Sequence, residues 1–392
     1  MVGSENRRII FITHYTELYG ANKSMLDLIR GLSGKADVEV LLIVPGEGKI
    51  TKLAQQEGIN YLILPFYNEI YFSADNGFVS TCKGFFKLLC NLTLAFRHRA
   101  LFRHPGTVIH SNSSATLIGS YFSLVSGKPH VWHIREFGWE DYRIRYCFGT
   151  RYFNMLLNRS AAVIAISKAI YSARVEHSAA RRKQVIYNGV LYGAAAQGKA
   201  PRAWSFEEGK KKMVFAVIGY ISPEKGQHEA IKAFSIFVEK HPQAELRIIG
   251  VGEEKYVSEL KGISSGLGLN NNIIFTGHVE NMDKAYHEID VLLMCSRSEA
   301  FGRVTVEAMS NGIPVIGFEN GGTAEIITDG INGLLYRKGA AELGEKMALL
   351  CRDAALYEEL SQNAFNNVYQ QFSVEKYVEA VKAVYLALPE NE

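Results

Sequence analysis

Two glutamates, Glu299 and Glu307, lie eight residues apart in the segment SRSEAFGRVTVEAMSNGIPVI. Glu299 falls in a predicted loop and Glu307 on the helix predicted to follow it, so both carboxylates can face one crevice. A carboxylate repels phosphate but accepts hydrogen bonds from hydroxyl groups, such as those of a sugar or a ribose. Each glutamate taken singly would more often be an ordinary charge, but their spacing with Gly302, Gly312 and Pro314 favours a binding site.

The helix predicted from about Arg303 to Ser310 offers a second kind of chemistry. Gly302, just before it, lets the backbone approach a ligand closely. The first N–H groups of the helix and its dipole favour an anion such as a diphosphate. Asn311-Gly312 is expected to end the helix. The segment therefore predicts a site that holds hydroxyl groups and a diphosphate together.

The elements that must position these residues are short, nearly continuous apolar runs separated by helical patterns. Strands buried on both faces have this composition, which is typical of parallel sheets covered by helices. The runs predict two α/β, doubly wound sheets. They are Ile9–Ile12, Val40–Val44, Tyr61–Leu64, Val108–His110, His130–His133, Val163–Ile166 and Val185–Tyr187, and then Val214–Ile218, Leu246–Ile249, Ile273–Phe275, Val291–Met294, Pro314–Ile316 and Gly333–Leu335.

A stretch without clear periodicity, Leu191–Lys212, separates the two sets of strands and is interpreted as the interdomain linker. We therefore expect an N-terminal domain over residues 1–200 and a C-terminal, ligand-binding domain over 201–373. Apolar residues at helical spacing predict a final helix within about 374–392, which we expect to pack back on the first domain.

Composition bounds the class of protein and its compartment. The chain has 392 residues, 47% apolar and 21% charged, which is typical of globular domains. Its five cysteines include no CxxC pair, so neither a zinc knuckle nor a disulfide framework is expected, and a reducing cytoplasm fits best. The polar start MVGSENRR predicts no signal peptide.

Charge is divided unevenly along the chain. Residues 1–195 carry a formal charge of +10 and residues 196–392 carry −7. The basic half can face an anionic acceptor or an anionic membrane, or the charge can simply keep the domain in solution.

A longer motif now gives a family resemblance. Residues 299–316, in which a second Glu follows the first after seven residues and runs into EAMxxGxPVI, resemble the donor-site signature of retaining glycosyltransferases. GGTAEI at Gly321–Ile326 and NGLL at Asn332–Leu335 are similar to the same family. These enzymes form the large glycosyltransferase family 4, which includes sucrose and sucrose-phosphate synthases. The resemblance implies a GT-B fold, with two facing Rossmann-like domains and a crevice between them.

The resemblance also implies roles for residues in the second half. Lys225 in GYISPEKGQ matches a family lysine and would be a point charge on the donor phosphates. The family usually has a basic residue after the preceding glycine, but Gly219 is followed by Tyr220. Arg303 can supply the missing guanidinium. Further donor contacts fall on glycine-containing loops and on the glutamate loop, namely Gly219, Gly250, Gly252, Val279, Ala300, Phe301 and Gly302.

In the first half, the resemblance places Gly20 and Ala21 of TELYGANKSM near the sugar–phosphate junction. His133 in HIREFG resembles a family histidine close to the donor sugar, although a lone histidine is as often structural. The next two charged residues, Arg135 and Glu136, are either acceptor contacts or an internal ion pair, and we favour the ion pair.

The predicted activity is therefore transfer of a sugar from a nucleotide-diphosphate sugar, with UDP favoured and GDP an alternative. The acceptor would be a glycan or lipid-linked acceptor in polysaccharide biosynthesis. No DxD motif occurs, so we expect no metal and no cofactor. Two alternatives stay open, a GT-B sugar-nucleotide epimerase and a catalytically weak partner subunit. Nucleic-acid binding is disfavoured because no recognised binding signature is present.

One further segment, FFKLLCNLTLAFRHRALFRH at Phe85–His104, combines large apolar side chains with a basic end. It is too polar to span a bilayer but can lie at a lipid interface. This predicts a peripheral contact between a cytoplasmic enzyme and an anionic membrane. The alternative is a helix that packs Phe85, Leu88, Leu89, Leu92 and Phe96 on its own sheet.

Overall fold

The computed structural model describes residues 7–33, 37–72, 77–192 and 212–389. The chain divides into two compact units. The N-terminal unit comprises Met1–Gly189 with Val374–Glu392, and the C-terminal unit comprises Val190–Ser373. Most of the predicted linker, residues 193–211, lies outside the described residues.

The N-terminal unit is built on a parallel sheet with the strand order β3-β2-β1-β5-β6-β8-β9, while β4 and β7 form a separate antiparallel pair. Its strands are β1 (Arg7–Ile12), β2 (Val38–Val44), β3 (Tyr61–Ile63), β4 (Ile70–Phe72), β5 (Thr107–Ser111), β6 (His130–Ile134), β7 (Ile144–Tyr146), β8 (Ala162–Ala165) and β9 (Lys183–Val185). The helices between them are α1 (Gly20–Leu32), α2 (Lys49–Gln56), α3 (Gly77–Arg97), α4 (Ile118–Ser126), α5 (Trp139–Tyr142), α6 (Gly149–Asn158) and α7 (Lys168–Ile170).

The C-terminal unit is built on a second parallel sheet, with the order β12-β11-β10-β13-β14-β15. Its strands are β10 (Val214–Ile218), β11 (Glu245–Ile249), β12 (Ile273–Gly277), β13 (Val291–Met294), β14 (Val315–Phe318) and β15 (Leu334–Tyr336). Its helices are α8 (Gln227–Val238), α9 (Glu254–Gly266), α10 (Met282–His287), α11 (Arg303–Met309), α12 (Thr323–Ile326), α13 (Ala340–Arg352) and α14 (Ala354–Gln371).

The last helix, α15 (Val374–Leu386), belongs to the N-terminal unit. Its apolar face joins the core around β1 and α1, through Val378 and Val381 among others. Gly31 on α1 allows this close approach, because a Cβ there would overlap the side chain of Val378. Lys382 on α15 also forms an ion pair with Asp37, at 2.8 Å.

The α/β prediction is confirmed, since every predicted run corresponds to a strand. Some bounds were wrong by one to two residues, most clearly Val185–Tyr187, where β9 runs over Lys183–Val185. β9 is an edge strand, and its half-buried and exposed residues give a weak apolar signal. The short pair β4 and β7 was missed because three-residue strands produce no clear periodicity.

Strand order identifies one position in each sheet where ligands bind in such folds. Open parallel sheets take ligands at the carboxyl ends of the strands, where the order reverses direction. This reversal falls between β10 and β13 in the C-terminal unit, and between β1 and β5 in the N-terminal unit. None of the helices that the structure describes combines the length and apolar composition needed to cross a bilayer.

Candidate functional site

Lys225 and Glu299 meet at the carboxyl edge of the C-terminal sheet. Lys225 ends a 3-10 turn, Pro223–Lys225, that follows β10, and Glu299 lies in the loop that follows β13. The Nζ of Lys225 donates to Oε2 of Glu299 at 2.7 Å, and both side chains are partly buried. The two residues predicted to hold phosphate and sugar therefore lie together at the point where the strand order reverses.

Gly226 explains why the turn after β10 packs so tightly on the end of β13. Its φ of +71° lies in the left-handed region that favours glycine. An added Cβ would also overlap the carbonyl oxygen of Cys295, the residue after β13. The backbone contact thus fixes Lys225, one residue earlier, beside the loop that carries Glu299.

The loop glycines predicted to approach the donor mostly have a packing role in this structure. A Cβ on Gly250 would overlap the carbonyl of Gly219, and one on Gly252 would overlap that of Ile221. The loops after β10 and β11 are therefore pressed together, backbone to backbone. Gly219 differs, because its own added Cβ would meet nothing within 4 Å.

Glu307 is held at both carboxylate oxygens. Arg303 Nε donates to Oε1 at 2.9 Å, and the hydroxyl of Tyr286 donates to Oε2 at 2.8 Å. Gly302, with φ of +98°, forms the N-cap of α11, which carries both Arg303 and Glu307. Arg303 thus lies at the predicted helix start but is engaged with Glu307 in this structure.

Tyr286 on α10 is a site residue that the sequence analysis missed. Burial, and then the adjacent carboxylate of Glu307, raise the pKa of its hydroxyl well above the ordinary value. The hydroxyl therefore stays protonated and keeps donating to Glu307. A buried tyrosine on a helix resembles any core residue in sequence, so no signal there could have identified it.

The GGTAEI motif packs against the backbone of the loop that carries Glu299. Gly322 N–H donates to the carbonyl of Glu299 at 2.7 Å, and a Cβ on Gly321 or Gly322 would overlap the loop backbone. Phe301 is buried and packs edge-on against Phe372, with ring centroids 5.5 Å apart. This loop is therefore fixed by its neighbours, with its aromatic side chain directed into the core.

The remaining predicted donor residues of this unit lie on loops near the same edge. Val279 follows β12 and is half-buried, and Ala300 lies between Glu299 and Phe301 with a half-buried side chain. Within the residues that the structure describes, no group of three or more His, Cys, Asp or Glu side chains is arranged to hold a metal ion.

In the N-terminal unit, Gly20 and Ala21 begin α1, close in sequence to the end of β1. A Cβ on Gly20 would meet nothing within 4 Å, so the helix start there is open. Behind it, the adjacent residue Asn22 is buried and accepts a hydrogen bond from Thr13 at 2.5 Å.

His133 is fully buried at the end of β6, next to His110 at 3.3 Å. Burial first, and then the charge of Arg135 and the His110 ring, lower its pKa well below the ordinary value, so the ring is neutral. Its Nε2 has no hydrogen-bond partner in the described part of the chain. The sugar contact implied for His133 stays a prediction.

The ion pair predicted between Arg135 and Glu136 was wrong. Arg135 instead donates to Asn112 and Asn188, each at 2.6 Å, and to the hydroxyl of Tyr377 at 2.9 Å. Adjacent residues in extended chain point to opposite sides, so the two charges diverge.

Glu136 points toward the segment that follows β5. Its Oε1 accepts hydrogen bonds from the hydroxyl groups of Ser113 and Ser114, at 2.8 and 2.6 Å, and from the Ser114 backbone N–H at 2.5 Å. The carboxylate therefore joins the ends of β5 and β6, next to the reversal between β1 and β5.

Two family models match the chain, one in each half. Residues 19–190 match the model described as Glycosyltransferase Family 4, and residues 201–367 match Glycosyl transferases group 1. Together they cover most of both compact units.

Individual relatives match to different extents. The poly(glycerol-phosphate) alpha-glucosyltransferase of Bacillus subtilis is 31% identical over 173 residues, which are 43% of this chain but only 25% of that protein. The capsular polysaccharide biosynthesis glycosyltransferase CapM of Staphylococcus aureus is 23% identical over 97% of both chains.

Among solved structures, Anabaena HepE in complex with UDP and glucose is similar, with a TM-score of 0.78 and 24% identity. The alignment covers 97% of this chain and 99% of that one. A likeness at this identity shows the shared fold, two Rossmann-like α/β domains.

Proposed function

Because the chain is a GT-B glycosyltransferase of the family 4 type, we propose that it transfers a sugar from a nucleotide-diphosphate sugar to a glycan or lipid-linked acceptor in polysaccharide biosynthesis. The donor site is inferred from the contact of Lys225 with Glu299 at the strand reversal of the C-terminal sheet, in the loop that leads into the helix of Glu307. A UDP-sugar is favoured over a GDP-sugar, and the UDP and glucose bound to Anabaena HepE support that choice.

Each side chain of this site has a task in the proposed reaction. Glu307 accepts hydrogen bonds from the ribose hydroxyls, with Arg303 and Tyr286 setting its orientation. Glu299 accepts hydrogen bonds from the sugar hydroxyls. Lys225, whose Nζ lies 2.7 Å from Glu299, would contact the diphosphate, where its charge stabilises the leaving group.

The proposed route retains the anomeric configuration and uses no metal. The bond between the anomeric carbon and the diphosphate oxygen breaks, and the acceptor oxygen forms its bond on the same face. The acceptor proton passes to the leaving phosphate. The charged side chains of Lys225 and Arg303, together with the N-terminus of α11, would neutralise the diphosphate, a role that a metal ion has in other enzymes.

The proposed setting is the cytoplasm, with an anionic membrane contacted only peripherally. Such a contact would bring a lipid-linked acceptor to the enzyme, as the basic end of Phe85–His104 suggests.

A thermal-shift screen against UDP-, GDP- and ADP-sugars tests the donor. We expect the largest rise in melting temperature with a UDP-sugar, and a loss of most of that rise in Glu307→Gln. Glu259→Gln, on the exposed side of α9, is the matched control. If none of the nucleotide sugars shifts the melting temperature at millimolar concentration, the proposed donor class is wrong.

A further inference from the structure

Helix α3 of the N-terminal unit turns its apolar side chains outward. Phe85, Phe86, Leu89 and Phe96 are 58–64% exposed. Helical spacing places them on one face. Of the five residues that could have been core, Phe85, Leu89 and Phe96 are exposed, and Leu88 and Leu92 are only half-buried. The alternative that they pack on the sheet is therefore wrong for Phe85, Leu89 and Phe96.

The inward face of α3 is small and polar instead. A Cβ on Gly84 would overlap the side chain of Cys147, so the helix approaches β7 closely there. Asn91 donates to the Tyr67 carbonyl at 2.8 Å and to the carboxylate of Glu69 at 2.7 Å. Glu69 is itself buried and accepts a hydrogen bond from Tyr121 at 2.6 Å. Hydrogen bonds hold the helix in place. On the outer face, Phe85 and Phe86 contact Phe148 and Tyr67, with ring centroids 5.0 and 6.1 Å apart, and both side chains stay more than half exposed.

A cationic cavity opens beside this face. It has a volume of about 270 Å³ and is lined by Ser80, Lys83, Lys87 and Tyr71 among others. Lys87 is fixed, because its Nζ donates to the Asn68 carbonyl at 2.8 Å. Lys83 is exposed and makes no ion pair with a described residue. Two lysines that line one cavity can supply ammonium groups to a phosphate, and the Lys87 ammonium also interacts with the carboxylate of Glu69.

The charge around the aromatic face selects its partner. The 21 residues of α3 contain no Asp or Glu, and their charged residues are Lys83, Lys87 and Arg97. Arg99, just beyond the helix, lies over the ring of Phe96 at 4.2 Å. A second copy of the same face would bring like charges together, whereas an anionic lipid surface complements them.

We infer that α3 is a lipid-docking helix, whose aromatic face enters the interface of an anionic bilayer while the cavity at Lys83 and Lys87 binds a lipid headgroup phosphate. The inference rests on the proposed peripheral membrane contact, and it is independent of the donor. Helices that lie in the plane of a membrane interface typically have large apolar side chains on one face and basic side chains beside it.

Co-sedimentation with vesicles tests this surface. Vesicles of phosphatidylcholine alone are compared with vesicles that also contain phosphatidylglycerol, at low and high salt. We expect wild type to bind the anionic vesicles and to be released by salt. Lys83→Glu should weaken that binding about 10-fold by reversing one charge near the surface. The triple variant Phe85→Ser, Phe86→Ser, Leu89→Ser should weaken it at least as much.

Matched controls separate docking from folding. Ile236→Ser, Leu267→Ser and Ile331→Ser, combined, remove three exposed apolar side chains from the C-terminal unit and should leave vesicle binding unchanged. The melting temperature and the shift produced by a UDP-sugar are measured for each variant. If the aromatic triple variant does not fold, Lys83→Glu, an exposed replacement, still decides the headgroup site.

The outcomes distinguish the parts of the proposal. If wild type fails to sediment with anionic vesicles at low salt, both the membrane contact and the docking helix are wrong. If wild type binds and the aromatic variant binds equally well, α3 is not the docking face. Unchanged binding by Lys83→Glu overturns the headgroup site, and equal binding of wild type to neutral vesicles overturns the preference for an anionic surface. A UDP-sugar shift that persists throughout leaves the glycosyltransferase proposal untouched.

Discussion

Lys225 and Glu299 are separated by 74 residues of sequence, yet the lysine Nζ lies 2.7 Å from a carboxylate oxygen of the glutamate. The pair joins the loops that follow β10 and β13, the two strands between which the C-terminal sheet reverses its order. In the proposed site, binding of a diphosphate would place a second anion next to Lys225 and compete with this contact.

Lys225→Ala should lower kcat/KM for the donor by about 10- to 100-fold, since a charge-assisted hydrogen bond is worth roughly 1.5–3 kcal/mol. Steady-state kinetics with varied donor measure the change. Lys232→Ala, on the exposed side of α8, is the control and should keep wild-type values. Equal activity in the two variants would remove Lys225 from the site.

Arg303→Ala should also reduce kcat/KM for the donor by about 10- to 100-fold, because it removes a guanidinium from the start of α11 and one contact of Glu307. Tyr286→Phe, which removes the other contact, should raise KM by about 10-fold with little change in kcat. If Arg303→Ala shows wild-type kinetics, then Arg303 does not replace the basic residue that related enzymes usually have at the position of Tyr220.

Activity should survive EDTA, because basic side chains and a helix N-terminus, not a metal ion, are proposed to neutralise the leaving diphosphate. The measurement is sugar transfer with and without millimolar EDTA, followed by added Mn²⁺ or Mg²⁺. Complete loss with EDTA and recovery with either ion would contradict the metal-free route.

Gly226→Ala should destabilise the protein more than Gly127→Ala does. Both glycines have nearly the same φ, +71° and +72°, so the backbone strain is matched at about 1–2 kcal/mol. Only Gly226 faces a close backbone carbonyl, that of Cys295, while the added Cβ at Gly127 meets nothing within 4 Å. Denaturant unfolding measures the difference, and equal destabilisation would show that the contact is unimportant.

Stability should fall as the pH is lowered below about 6.5, the ordinary pKa of histidine. Burial lowers the pKa of His14 to about 4 and that of His130 to about 3 in the folded protein. Between these values the unfolded chain binds protons that the folded protein does not, so each histidine costs about 1.4 kcal/mol at pH 5.5. His130→Gln should flatten the dependence of unfolding free energy on pH, whereas His177→Gln, at an exposed position, should not. Equal slopes for His130→Gln and wild type would exclude His130 as a source.

The sheets could be predicted because their strands are buried on both faces. Val214–Ile218 and Val291–Met294 have the predicted bounds, because each is a continuous apolar run that lies buried in the sheet. β4 and β7 could not be predicted, because three residues carry too little pattern and their pairing joins positions more than 70 residues apart.

The site was predictable only where a motif fixed the spacing. The segment that runs into EAMxxGxPVI marked Glu299, Gly302 and Glu307 as candidates, whereas their contacts arise from tertiary packing. Tyr286 reaches Glu307 from another helix, and no local pattern marks such a residue. The ion pair expected between Arg135 and Glu136 does not form, because proximity in sequence does not make side chains face each other.

The return of α15 to the N-terminal unit affects how the protein forms on the ribosome. The core around α1 and β1 and the hydrogen bonds from Arg135 to Tyr377 and from Tyr385 to His110 need residues made after the whole C-terminal unit. At usual synthesis rates, the 184 residues of Val190–Ser373 delay them by roughly 10–40 s. During this period the apolar face of the nascent N-terminal unit that α15 will cover stays exposed, so chaperone binding would matter. The C-terminal unit is continuous in sequence and can fold first.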